Sequence, residues 1–90
     1  MGRSDRSFMM YPNPNTSRLV FMEIPQQNGK ETLSVRILNM QGAVIYQNLQ
    51  AERSTNILLK LNLPSKISAG AYFVEVNQNG KRFVSRLIVQ

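Results

Sequence analysis

Apolar and polar side chains alternate with a period of two along most of this chain, the pattern of strands with one wet face and one buried face. Leu19 to Ile24 (LVFMEI) predicts a first strong strand, closed by Pro25 and by a polar turn, Gln26 to Lys30, that contains Asn28-Gly29. Leu33, Val35 and Ile37 then alternate with Ser34 and Arg36. The turn Asn39-Met40-Gln41-Gly42 leads into Ala43 to Leu49, a second hairpin with Val44 and Tyr46 expected on one face and Ile45 and Gln47 on the other. After the polar loop Gln50 to Thr55, Ile57, Leu59, Leu61 and Leu63 alternate with Leu58, Lys60 and Asn62 as far as Pro64, which predicts a core strand with all four inward. A helix would scatter those four residues around its circumference.

Pro64 to Gly70 (PSKISAG) is a connection, with Ala69-Gly70 expected to supply a positive φ before the next strand. Tyr72, Val74 and Val76 are expected in the core, followed by Asn79-Gly80 and the run Lys81 to Gln90 (KRFVSRLIVQ). Asn-Gly is a strong hairpin signal because both residues tolerate positive φ. In the final run Phe83, Leu87 and Val89 are expected to pack, leaving Lys81, Arg86 and Gln90 outward. At the other end, Tyr11-Pro12-Asn13-Pro14 excludes helix and central strand. Residues 1–10 are expected to be a leader, vector-derived over MGRSDRS or linker, with a short strand around Phe8 to Tyr11, and residues 11–90 the domain. Six strong strands and that short one predict an all-β sandwich or small barrel.

Composition narrows the function. The 90 residues contain neither Cys nor His, which removes thiol chemistry, zinc ribbons, disulfides and the commonest general base. Asp5, Glu23, Glu31, Glu52 and Glu75 are the only carboxylates, and no two are close enough in sequence to suggest an acid–base pair. No catalytic residue, metal ligand or cofactor site is expected, and the glycines match no phosphate-binding spacing. The net charge of +6 is spread over the predicted strands and loops, as a solvated surface requires, with a polyanion footprint as the alternative.

Four pieces carry a specific resemblance: Tyr11-Pro12-Asn13-Pro14; Val35 to Gly42 (VRILNMQG); Ile67 to Val74 (ISAGAYFV); and Asn79-Gly80-Lys81 with Ser85 to Val89. In this order and spacing they resemble a type A C-terminal sorting domain of the type IX (Por) secretion system of Bacteroidetes, over residues 11–90. That resemblance implies an immunoglobulin-like sandwich of about seven antiparallel strands, exported through the periplasm and outer membrane to the cell surface or medium. The implied partners are translocon and shuttle proteins, an N-terminal cargo absent from this chain, and a sortase-like surface protease. That protease would cut upstream of Tyr11 and join the cargo to an anionic lipopolysaccharide. By the same resemblance, Gly80, Lys81, Arg86, Leu87, Ile88, Val89 and Gln90 match the part needed for export, Tyr11 to Pro14 open the domain, and Gly42 and Gly70 are turn glycines.

Two mechanisms are open for the last strand. Its unpaired edge is read by strand addition, so that deleting Leu87 to Gln90 stops export and leaves the domain folded, or those residues simply close the sheet. An exposed edge also makes a dimer plausible. An adhesive or carbohydrate-binding module would need an exposed aromatic cluster, such as Phe73 beside Tyr11. A nucleic-acid-binding barrel, which the reading disfavours, would bring Arg36, Lys60, Lys81 and Arg82 onto one face.

Overall fold

Four consecutive antiparallel strand pairs alternate between two sheets. The computed structural model describes residues 6–27 and 29–90. Its strands are β1 (Met10–Tyr11), β2 (Leu19–Glu23), β3 (Leu33–Leu38), β4 (Val44–Leu49), β5 (Ala51–Arg53), β6 (Leu58–Asn62), β7 (Gly70–Gln78) and β8 (Lys81–Val89). The first sheet has the order β1-β2-β6-β5 and the second β4-β3-β7-β8, all antiparallel, which makes an immunoglobulin-like sandwich. The non-local pairings β2–β6 and β3–β7 tie the successive pairs together.

The core is what alternation demands. Val20, Met22, Leu59 and Leu61 from the first sheet meet Val35, Ile37, Val74, Val76 and Leu87 from the second, all with no exposed surface. Each such side chain contributes about 1.5 to 3 kcal/mol on burial. Tyr72 reaches the core with its ring and donates its hydroxyl to the Ser68 carbonyl at 2.6 Å, which satisfies the polar end of the ring.

A polar knot joins the two sheets at one end. Arg53 of β5 makes two bonds to Glu31, at 2.6 and 3.2 Å, and donates to the Ile24 carbonyl at 2.7 Å. Gln78 of β7, fully buried, donates to the same Glu31 carboxylate and to the Pro25 carbonyl. Arg53 and Gln78 hold the Glu31 carboxyl below its ordinary value, against the opposing effect of burial.

Several expectations change. The link from β2 to β3 crosses between sheets instead of closing a hairpin, since β2 pairs with β6; the Asn28 half of the expected turn lies outside the described residues. In β4 the register pairs Leu38 with Val44 but Ile37 with Tyr46, so Ile45 is an extra residue and Val44 and Tyr46 fall on opposite faces. Ile57 is 57% exposed, because β6 starts one residue later and Thr55 caps the turn through its hydroxyl. The expected loop Gln50 to Thr55 contains β5, which pairs with β6. At the start, Met1 to Asp5 of the expected leader lie outside the described residues, but Arg6, Phe8 and Met10 belong to the folded body: Met10 is buried, Phe8 packs edge-on against Phe83, and Arg6 bridges to Phe83.

Candidate functional site

The β7–β8 hairpin is built by a two-residue turn. Gln78 pairs with Lys81, and Asn79 and Gly80 take φ of 50° and 85°, the mirror-image turn whose twist suits the flanking strands. The tip is anchored as well: the Asn79 amide donates to the Thr32 carbonyl at 2.9 Å, and the Thr32 amide donates to Asn79 Oδ1 at 2.7 Å. Both arms are nine residues long and pair throughout, from Gln78–Lys81 to Gly70–Val89.

Alternation then divides the seven predicted export residues into two groups. Leu87 and Val89 are buried in the core, Ile88 is half-buried on the outer face, and Gly80, Lys81, Arg86 and Gln90 are exposed. Leu87 and Val89 therefore stabilise the sandwich, and a partner could touch them only by opening it. Deleting Leu87 to Gln90 removes both, so packing argues against the expectation that the truncated domain stays folded.

The outer edge of β8 is not bare, contrary to the expected row of free edge groups. Arg6 donates its amide to Arg82 O at 3.1 Å and accepts the Val84 amide at 2.6 Å. Ser85 Oγ accepts from the Phe8 amide and donates to the Phe8 carbonyl. The Asn13 side chain imitates a peptide unit: Nδ2 donates to Arg86 O and Oδ1 accepts from the Ile88 amide, both at 3.0 Å. Asn15 finishes the cover, donating its amide to Ile88 O at 2.7 Å and accepting from Gln90 at 2.8 Å.

Asn15 was not singled out by the sequence reading, yet it has no exposed surface and its side chain bonds Pro12 O, Leu19 O and the Arg18 amide. Its position immediately after Asn13-Pro14 was the available signal, since Asn is a turn-former with backbone-like donors and acceptors. Pro12 and Pro14, both exposed and both following cis peptide bonds, shape this segment between β1 and β2. Tyr11 is an exposed member of β1 and stacks on Phe21 with ring centroids 6.3 Å apart. Desolvation, then the Glu23 carboxylate, pushes its hydroxyl pKa up.

Gly42 and Gly70 have φ of +89° and +155°, so both occupy backbone that a side chain would strain. Gly42 closes the β3–β4 turn, where its amide donates to Asn39 O and Asn39 Oδ1 accepts from Gln41 and Ala43.

The alternative constellations do not assemble. Tyr11 lies on the outer face of the first sheet and Phe73 on that of the second, since each alternates with buried neighbours there. Lys60 is in the first sheet, paired across from Phe21 and Glu52, whereas Arg36 and Arg82 are in the second and Lys81 is at the hairpin tip. Arg36 and Arg82 both reach Glu75, at 2.7 and 3.4 Å. Glu75 alternates with Val74 and Val76 and so lies on the outer face, yet it is only 4% exposed beneath these two guanidinium groups. Burial acts to raise its pKa, and the two arginines outweigh it and hold the carboxyl below its ordinary value. Glu23 is on the other sheet. Among the described residues no three carboxylates gather as a metal site.

Comparison with known proteins adds the family. The family profile described as "Secretion system C-terminal sorting domain" matches residues 9–90. No curated protein sequence matches. Among solved structures, the crystal structure of CopC from Methylosinus trichosporium OB3b superposes with a TM-score of 0.53 over 91% of this chain and 88% of that one, at 16% identity. At that identity the likeness concerns the fold alone.

Proposed function

The chain belongs to the family of secretion-system C-terminal sorting domains, and from that premise we propose that the type IX export machinery reads its β7–β8 hairpin. A domain of this family is a sorting signal, which directs a protein to the cell surface or to secretion. In this reading translocon and shuttle proteins engage the hairpin from solvent, through Gly80, Lys81, Arg86 and Gln90, with Ile88 as an apolar contact beside Arg86. A sortase-like surface protease later separates the domain from its cargo upstream of Tyr11. The domain is an address and not a catalyst.

The observation that carries this reading is the division of β8. Its inward residues Leu87 and Val89 are locked in the core, so the exposed Arg86, on the opposite face, is presented on a rigid strand. A preorganised cation loses little freedom on binding. A photo-cross-linker placed at Arg86 in a secreted fusion is expected to capture a component of the export machinery, and one at Lys60, on the other sheet, is not. Capture from Lys60 with none from Arg86 would overturn the assignment of the hairpin.

A further inference from the structure

The cover over β8 has an unusual construction. Its backbone pairs with β8 at two isolated places, Arg6 with Phe83 and Asn15 with Val89, and both bridges are parallel. Between them the segment leaves β8 and joins the first sheet as β1, where Met9 O accepts the Glu23 amide at 2.9 Å. In the central stretch of the β8 edge, Arg86 O and the Ile88 amide are met by the side-chain amide of Asn13 instead of by backbone. Most of the segment is wet: Arg6, Ser7, Met9, Tyr11, Pro12, Asn13 and Pro14 are exposed, and Met10 and Asn15 are its buried anchors.

We propose that the outer edge of β8 is a docking edge for an extended partner strand running parallel to it, and that residues 6–15 are its removable cover. A partner strand would replace the separate bonds from Arg6, Asn13 and Asn15 with a continuous parallel ladder, exchanging like for like along the edge. The direction follows from the two parallel bridges, which place a chain along this edge in that sense. The inference rests on the hairpin being the surface read during export. It adds that the polypeptide leading into the domain and the export strand are coupled, because the same residues belong to one and cover the other.

Amide hydrogen exchange tests the cover in the isolated domain. Val84, Ile88 and Gln90, which donate to the cover, are expected to exchange at least tenfold faster than Leu87, which alternates with them and faces β7. N13A should speed Ile88 further and leave Leu87 unchanged. Equal rates for both sets, moving together in N13A, would overturn the proposal, because the cover would then open only with the whole domain.

A lock tests the consequence for export. The chain has no cysteine, so R6C with F83C, adjacent across a bridge, has one disulfide to form. The single variant F83C carries the same loss of Phe83 without the lock. Export of a cargo fusion is expected to fall at least tenfold in the locked double variant relative to F83C. Equal export with the disulfide confirmed would contradict the docking edge and leave the hairpin reading standing. Failure of the unaltered fusion to be exported would refute the sorting function, and this inference with it.

Discussion

Glu31 and Glu75 are the residues on which acid sensitivity concentrates. Each carboxylate is held by arginine, Glu31 by Arg53 and Glu75 by Arg36 and Arg82, and each has its pKa lowered from 4.5. A carboxyl that is harder to protonate folded than unfolded contributes stability above the unfolded pKa, and that contribution is lost as pH falls through the folded value. The melting temperature is therefore expected to stay level from neutral pH down to about 5 and to drop below about 4.5, with a shallower drop in E31Q/E75Q. Arg53→Ala, which strands a Glu31 side chain only 10% exposed, is expected to cost about 3 kcal/mol in denaturant unfolding. A loss under about 1 kcal/mol would mean that solvent replaces the guanidinium. Gly42→Ala tests backbone alone: nothing lies within 4 Å of the added methyl, so about 1 kcal/mol of loss should come from the positive φ.

At the scale of elements, β8 contributes to the core and to the surface at once. Leu87→Ala is expected to cost about 2 to 5 kcal/mol, because a side chain with no exposed surface leaves a cavity between the sheets. Deletion of Leu87 to Gln90 is expected to abolish the cooperative melt of the domain; a truncated domain that melts as before would contradict the packing. The strongest local signals were legible from sequence: Asn79-Gly80, the alternation of Tyr72, Val74 and Val76, and the packing of Leu87 and Val89.

The misses have physical causes. β5 is three residues long and carries Glu52 and Arg53, so nothing in its composition separates it from a loop; pairing with β6 and the Arg53 knot create it. Tertiary register, invisible in a single strand, inserts Ile45 as a bulge and exchanges the faces of β4. The cover on β8 was the costliest miss for function. It joins residues more than 70 apart, through a side-chain amide that looks like an ordinary turn asparagine in sequence.

At the scale of the whole molecule, the four cations that a nucleic-acid-binding barrel would gather are split between the sheets. Lys60 belongs to one sheet and Arg36 and Arg82 to the other, where they serve Glu75. In the second sheet β8 is covered by residues 6–15, and the self-association expected through an exposed edge has β4 as its available strand there. Val44 and Ile45, about two-fifths exposed, line that strand, which the register shifts bend away from a flat pairing surface.

In the proposed reading, exposed positions of the β7–β8 hairpin, and not the stability of the sandwich, specify export. Charge reversal separates the two, because Lys81 and Arg86 are both exposed and neither enters the core. The measurement is secretion of a reporter fused ahead of the domain, comparing the unaltered sequence with K81E/R86E and scoring the melting temperature of each purified domain. K81E/R86E is expected to melt within a few degrees of the unaltered domain, with secretion reduced at least tenfold. Undiminished secretion of a fully folded K81E/R86E fusion would contradict it.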